Sequence, residues 1–86
     1  MHSTKDLLAK ALTIKPAKFW SDRYFISQST LSEAKKKGRL SPIVAGNLAM
    51  DIGEEPGYWI AVAATETERK NPMVERIQAV LARSNP

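Results

Sequence analysis

Ala17-Lys18-Phe19-Trp20-Ser21-Asp22-Arg23-Tyr24-Phe25-Ile26-Ser27-Gln28-Ser29-Thr30-Leu31-Ser32-Glu33-Ala34-Lys35-Lys36 carries apolar side chains at Trp20, Tyr24, Ile26, Leu31 and Ala34, with the small Ser21 beside Trp20. That spacing predicts two short helices joined by a turn and packed on one another through these residues. Pro16 suits the first turn of the leading helix. Ser27 can cap a following helix from Gln28 to about Lys37, and Gly38 stops it.

The two faces of this second helix are unequal. At 100° per residue, Ser32, Glu33 and Lys36 fall within about 60° of Ser29, while Leu31, Ala34 and Gly38 fall on the opposite side. The apolar stripe is thin. The polar face offers hydroxyls, the Gln28 amide, a carboxylate and a lysine, which are groups able to reach base edges in a DNA major groove.

Charge points the same way. The chain has 86 residues and a net charge of +4, but residues 1–39 carry a net of +6 and residues 40–86 a net of −2. No Lys or Arg occurs between Leu40 and Glu68. The N-terminal half is suited to an anionic partner, nucleic acid before a membrane surface.

Outward from the central pair, the same punctuation recurs. Ser3 or Thr4 caps a first helix running to about Leu12, with Leu7, Leu8, Ala11 and Leu12 on its apolar face. Ser41-Pro42 opens a fourth helix ending near Ile52 and Gly53. Glu54-Glu55-Pro56 opens a fifth, with the two acidic side chains at its positive end. Asn71-Pro72 opens a sixth, ending near Arg83. The run Tyr58-Trp59-Ile60-Ala61-Val62-Ala63-Ala64 also suits a buried strand. A lone strand would have no partner for its backbone hydrogen bonds, which favours a helix.

The segment Ile26-Ser27-Gln28-Ser29-Thr30-Leu31-Ser32-Glu33-Ala34-Lys35-Lys36-Lys37-Gly38-Arg39 resembles the recognition segment of phage and plasmid repressors of the Cro/C1 type. Ala45-Gly46-Asn47-Leu48-Ala49-Met50-Asp51-Ile52-Gly53-Glu54-Glu55-Pro56 is similar to the fourth helix and loop of that family. The resemblance covers roughly residues 5–64. It implies an all-α, compact five- to six-helix bundle, a lambda-repressor-like helix-turn-helix domain over residues 1–70. It further implies that Gln28, Ser29, Ser32, Glu33 and Lys36 face bases, and that Lys18, Thr30, Lys35, Lys37 and Arg39 face phosphates. Phe25 departs from the pattern, because the family turn usually has Gly there. Either this turn takes another geometry or Phe25 accepts strain.

Residues 71–86 form a separate expectation. Met73, Val74, Ile77, Val80 and Leu81 make an apolar stripe, which either covers the domain's own core or meets its counterpart in a dimer. The dimer is the expected use. It would set two recognition helices about 34 Å apart on a near-palindromic site.

The chemistry of catalysis is sparsely supplied. The chain has no Cys, and its single His is His2, at a terminus with no expected metal or catalytic role. Asp51, Glu54 and Glu55 cluster at a helix end and the next helix start, where capping accounts for them. Phe19 and Trp20 are expected in the core, and Tyr58 and Trp59 against the core or a partner subunit. No enzyme activity, cofactor, metal, membrane contact or small-molecule ligand is expected. The expected function is cytoplasmic, sequence-specific binding of double-stranded DNA, with repression as the default outcome. The alternative is a helix-turn-helix scaffold that binds another protein, as an antitoxin or inhibitor.

Overall fold

Four of the expected helix starts are held by a side chain that accepts free backbone N–H groups, those at Ser27, Ser41, Glu55 and Asn71, and six helices follow. The computed structural model describes residues 3–83; His2 and the stretch 84–86 lie outside them. The helices are α1 (Thr4–Ile14), α2 (Ala17–Arg23), α3 (Gln28–Lys37), α4 (Pro42–Asp51), α5 (Pro56–Thr67) and α6 (Pro72–Arg83), with no strand among the described residues.

The caps match the chemistry of their residues. Ser27 Oγ accepts the Thr30 N–H at 3.2 Å, and Ser41 Oγ accepts the Val44 N–H at 3.3 Å. Asn71 Oδ1 accepts from both Met73 and Val74, at 2.9 and 3.1 Å. Ser3 is the N-cap of α1, and Pro16 sits at the N-cap of α2 rather than in its first turn. Gly38 takes the left-handed conformation (φ +75°) and donates its N–H to Ala34 at 2.8 Å, which ends α3 cleanly.

The ambiguous run at Tyr58–Ala64 is helical because it has two faces after all. Tyr58, Trp59, Val62 and Ala63 are buried at helical spacing, while Ile60 and Ala64 point outward. This face packs on α4, where Ala45, Leu48 and Ala49 are fully buried. The approach is close. A Cβ placed on Gly46 would stand 2.8 Å from the Ile60 side chain, whose tip would have to shift to admit a larger residue.

Leu7, Leu8 and Ala11 of α1, Trp20 of α2, Leu31 of α3 and Leu40 of the α3–α4 linker complete the core. Trp20 adds a polar tie to this packing. Its Nε1–H donates to the carbonyls of Ala11 and Lys15, both at 3.1 Å, and so satisfies the C-terminal end of α1.

Two expectations need correcting. Phe19, expected in the core, is 39% exposed; its ring packs edge-on against Trp20 with Lys15 Nζ over its face. The apolar stripe of α6 is also divided. Val74 and Leu81 are buried against their own chain, and Leu81 joins the core, whereas Met73, Ile77 and Val80 are 73%, 48% and 47% exposed. Thus α6 closes the domain over α5, and of the five residues expected at a dimer contact only three remain on the surface.

Candidate nucleic-acid interface

The α2–turn–α3 unit is held from behind by a small set of contacts. Trp20 stacks on Tyr24 with ring centroids 6.0 Å apart. The Ile26 N–H donates to the Ser21 carbonyl at 3.0 Å, and Leu31 is buried with Ala34 half-buried beside it. Ser21 is itself buried, as its small side chain requires where the helices meet. Burial of this one face fixes the rotation of α3 about its axis and therefore decides what it presents to solvent.

What it presents is the whole polar stripe. Gln28, Ser29, Ser32, Glu33 and Lys36 are all exposed along α3. Around its N-terminus, Ser27 Oγ lies 2.8 Å from Ser29 Oγ and 2.9 Å from Thr30 Oγ1, an ordered set of hydroxyls with remaining hydrogen-bonding capacity.

The cations expected at phosphates fall into two groups. Lys35, Lys37 and Arg39 cluster at the C-terminal end of α3, and all are exposed. Lys18 lies at the start of α2, paired with Asp22 at 3.0 Å. Lys37 pairs with Glu33 at 3.7 Å. Both are exposed i,i+4 pairs, of the kind that contributes about 0.3–0.5 kcal/mol and is readily exchanged for a stronger anionic partner. Lys35, Lys36 and Arg39 take part in no ion pair among the described residues.

Acidic residues read as caps have longer-range duties. Asp51 accepts from Arg23 Nε at 2.6 Å and Nη2 at 2.9 Å, and from the Tyr24 hydroxyl at 2.5 Å. This fork ties the end of α2 to the end of α4. The Arg23 guanidinium is the main reason the Asp51 carboxyl is held below its usual range; desolvation opposes that shift and the Tyr24 hydroxyl reinforces it. Burial first, then the bond to Asp51, raises the Tyr24 hydroxyl above its ordinary value. Glu54 pairs with Lys10 and accepts from Trp59 Nε1 at 3.4 Å, so it joins α1 to α5. Glu55 alone caps as expected, accepting the Gly57 N–H at 3.0 Å.

Of the two alternatives left open for the α2–α3 turn, the strained one is found, and one further feature was not foreseen. Phe25 takes a left-handed backbone (φ +57°), so the turn keeps the geometry that glycine usually supplies and the aromatic residue accepts the strain. An open groove of about 430 Å³ also runs beside α3, lined by Leu31, Ala34, Leu40 and Val44 with Lys37 and Arg39. The groove could not be placed from sequence, because its walls come from α3, the following linker and α4.

No family model matches the chain, and comparison with curated proteins and with solved structures likewise gave no match.

Proposed function

We propose that this chain is a sequence-specific, double-stranded DNA-binding transcriptional regulator, a phage- or plasmid-type repressor that binds a near-palindromic operator as a dimer. One observation carries the reading: Gln28, Ser29, Ser32, Glu33 and Lys36 form a continuous exposed stripe on a helix whose opposite face is locked in the core. A recognition helix requires both properties, since reading bases depends on side chains of fixed direction that the fold does not itself use.

The proposed chemistry follows from the groups present. The Gln28 amide matches the N6 and N7 edge of adenine, Lys36 matches guanine O6 and N7, and Glu33 accepts from a cytosine amino group. Ser29 and Ser32 accept or donate to either partner. Lys18, Thr30, Lys35, Lys37 and Arg39 hold the phosphates and set register. No metal, cofactor or reaction enters this reading.

Met73, Ile77 and Val80 supply the exposed surface for the second copy, next to an apolar groove of about 450 Å³ lined by Ala61, Ala64, Val74 and Ile77. Bound across a promoter, such a dimer represses by excluding polymerase. The site of action is the cytoplasm; no helix among the described residues is long and apolar enough to cross a membrane. The same exposed residues on α6 favour a second reading, a protein-interaction module of the antitoxin or inhibitor kind.

Selection from a random duplex pool at about 150 mM salt, where non-specific phosphate binding is weak, decides between them. Enrichment of an inverted repeat with half-sites about one helical turn apart is expected. Recovery of no motif overturns the proposal.

A further inference from the structure

Phe25 combines two features that the fold does not need. It is the single non-glycine residue with positive φ among the described residues, and its side chain is 95% exposed. Glycine or asparagine would hold this left-handed turn with less strain. The ring returns little packing for that strain: among the described residues the aromatic pairs join Phe19 to Trp20, Trp20 to Tyr24 and Tyr58 to Trp59, and Phe25 is in none of them. A strained, solvent-facing aromatic that contributes nothing to its own core is explained by a partner.

Its place in the chain identifies the partner. Phe25 stands two residues before the N-cap Ser27 and three before Gln28, at the end of α3 that meets base edges when such a helix enters a major groove. After the half-buried Ile26, the exposed hydrogen-bonding residues Ser27, Gln28, Ser29 and Thr30 follow it in the chain. A protein interface is built on a cluster of such anchors rather than on one ring. A duplex offers isolated apolar groups instead, namely the thymine 5-methyl in the major groove and the C–H edge of deoxyribose.

Resting on the DNA-binding reading above, we propose that Phe25 is a DNA-contact residue whose ring packs on a thymine methyl or a deoxyribose beside the base read by Gln28. The residue adds shape selection to a helix that otherwise reads by hydrogen bonds.

The test uses the duplex recovered by selection with the full chain. Phe25→Asn keeps a residue that tolerates the left-handed turn and removes the ring, whereas Phe25→Tyr keeps the ring. Phe25→Asn is expected to bind that duplex about tenfold more weakly, with Phe25→Tyr within about threefold of the parent. Circular dichroism melting confirms that each variant is folded, and Phe25→Gly replaces the asparagine variant if it is not. Replacing thymines by deoxyuridine, one at a time, separates the two apolar targets. A loss at one position for the parent but not for Phe25→Asn assigns the methyl group. No such loss, with the asparagine variant still weakened, assigns the sugar. Parental affinity in Phe25→Asn overturns the inference while leaving the DNA reading intact. A parent that selects no duplex overturns both, and does so before any variant is made.

Discussion

The Thr4 Oγ1 accepts the Leu40 backbone N–H at 2.8 Å, joining the first residue of α1 to the linker that leaves α3. The same hydroxyl donates to Glu66, which also accepts the Thr4 N–H at 3.0 Å. Thr4 is completely buried, so its loss strands a buried donor that no water reaches. Thr4→Val keeps the shape and removes the acceptor, at an expected cost of about 1–3 kcal/mol. Thr4→Ser keeps the hydroxyl and loses one methyl group, about 0.8 kcal/mol. Urea unfolding should therefore rank serine above valine; the reverse order would show that packing of the methyl outweighs the network.

The Asp51 fork gives a pH dependence with a definite sign. Asp51 has a folded pKa below its unfolded value of about 3.9, mainly because of Arg23. Its contribution is therefore fully present above about pH 4 and is lost as pH falls through the depressed folded value. The stability difference between the parent and Asp51→Asn should be constant from pH 7 to pH 5 and shrink in more acidic solution. Tyr24 acts at the other limit: its raised value makes its contribution complete below about pH 10 and lost above. A difference between parent and Asp51→Asn that stays unchanged down to pH 2 would rule out the charged fork as its source.

Local grammar made much of this molecule legible. Ser27, Ser41, Gly38 and the prolines at 42, 56 and 72 mark helix ends through backbone chemistry that acts over three or four residues, and the helices begin and end where those residues stand. The direction of the α3 stripe was equally local, set by Leu31 and Ala34 against Ser29, Ser32 and Lys36. Pairings across the fold carried no such mark. Asp51 lies 28 residues from Arg23 and Glu54 lies 44 from Lys10, so each acidic residue looked like a cap for the nearest helix. The α6 stripe showed that something covers it but not what, and the answer differs by residue: α5 and the core take Val74 and Leu81 while Met73, Ile77 and Val80 face outward.

Strain at Phe25 has a measurable counterpart in stability. A left-handed backbone costs a β-carbon-bearing residue about 1–2 kcal/mol, and Asn less than most. With the ring 95% exposed, little buried area is forfeited on its removal. Phe25→Asn should raise the unfolding free energy by about 0.5–1 kcal/mol, read as a higher urea midpoint at unchanged slope. A lower midpoint would mean that the ring packs on its own domain in solution.

Base and phosphate contacts should separate by their response to salt and sequence. Arg39→Ala should weaken binding to all duplexes alike and reduce the slope of log affinity against log salt by about one. Gln28→Ala should cost about 1–3 kcal/mol on the selected duplex and relax preference at one base position. Glu33→Ala tests the pair with Lys37 at 3.7 Å: removing the carboxylate frees the lysine and lifts a repulsion, so non-specific affinity should rise while selectivity falls. Titrations against selected and scrambled duplexes at several salt concentrations distinguish the three. Equal losses on both duplexes for Gln28→Ala would remove that residue from base reading.

The exposed remainder of α6 yields the last prediction. Ile77 lies between Met73 and Val80 on the outward face, and all three keep about half or more of their surface in water. Ile77→Glu places a charge at the middle of that face without entering the core, because the residues that anchor α6 are Val74 and Leu81. Folding of the chain should change little, whereas burial of an unpaired carboxylate between two copies would cost several kcal/mol. Sedimentation equilibrium should then show a dimer for the parent and a monomer for Ile77→Glu. Binding to a single half-site should be retained, because α3 is untouched, while the advantage of the full inverted repeat disappears. A parent that is monomeric both free and on the inverted repeat would assign this face to a different protein and make the two half-sites independent.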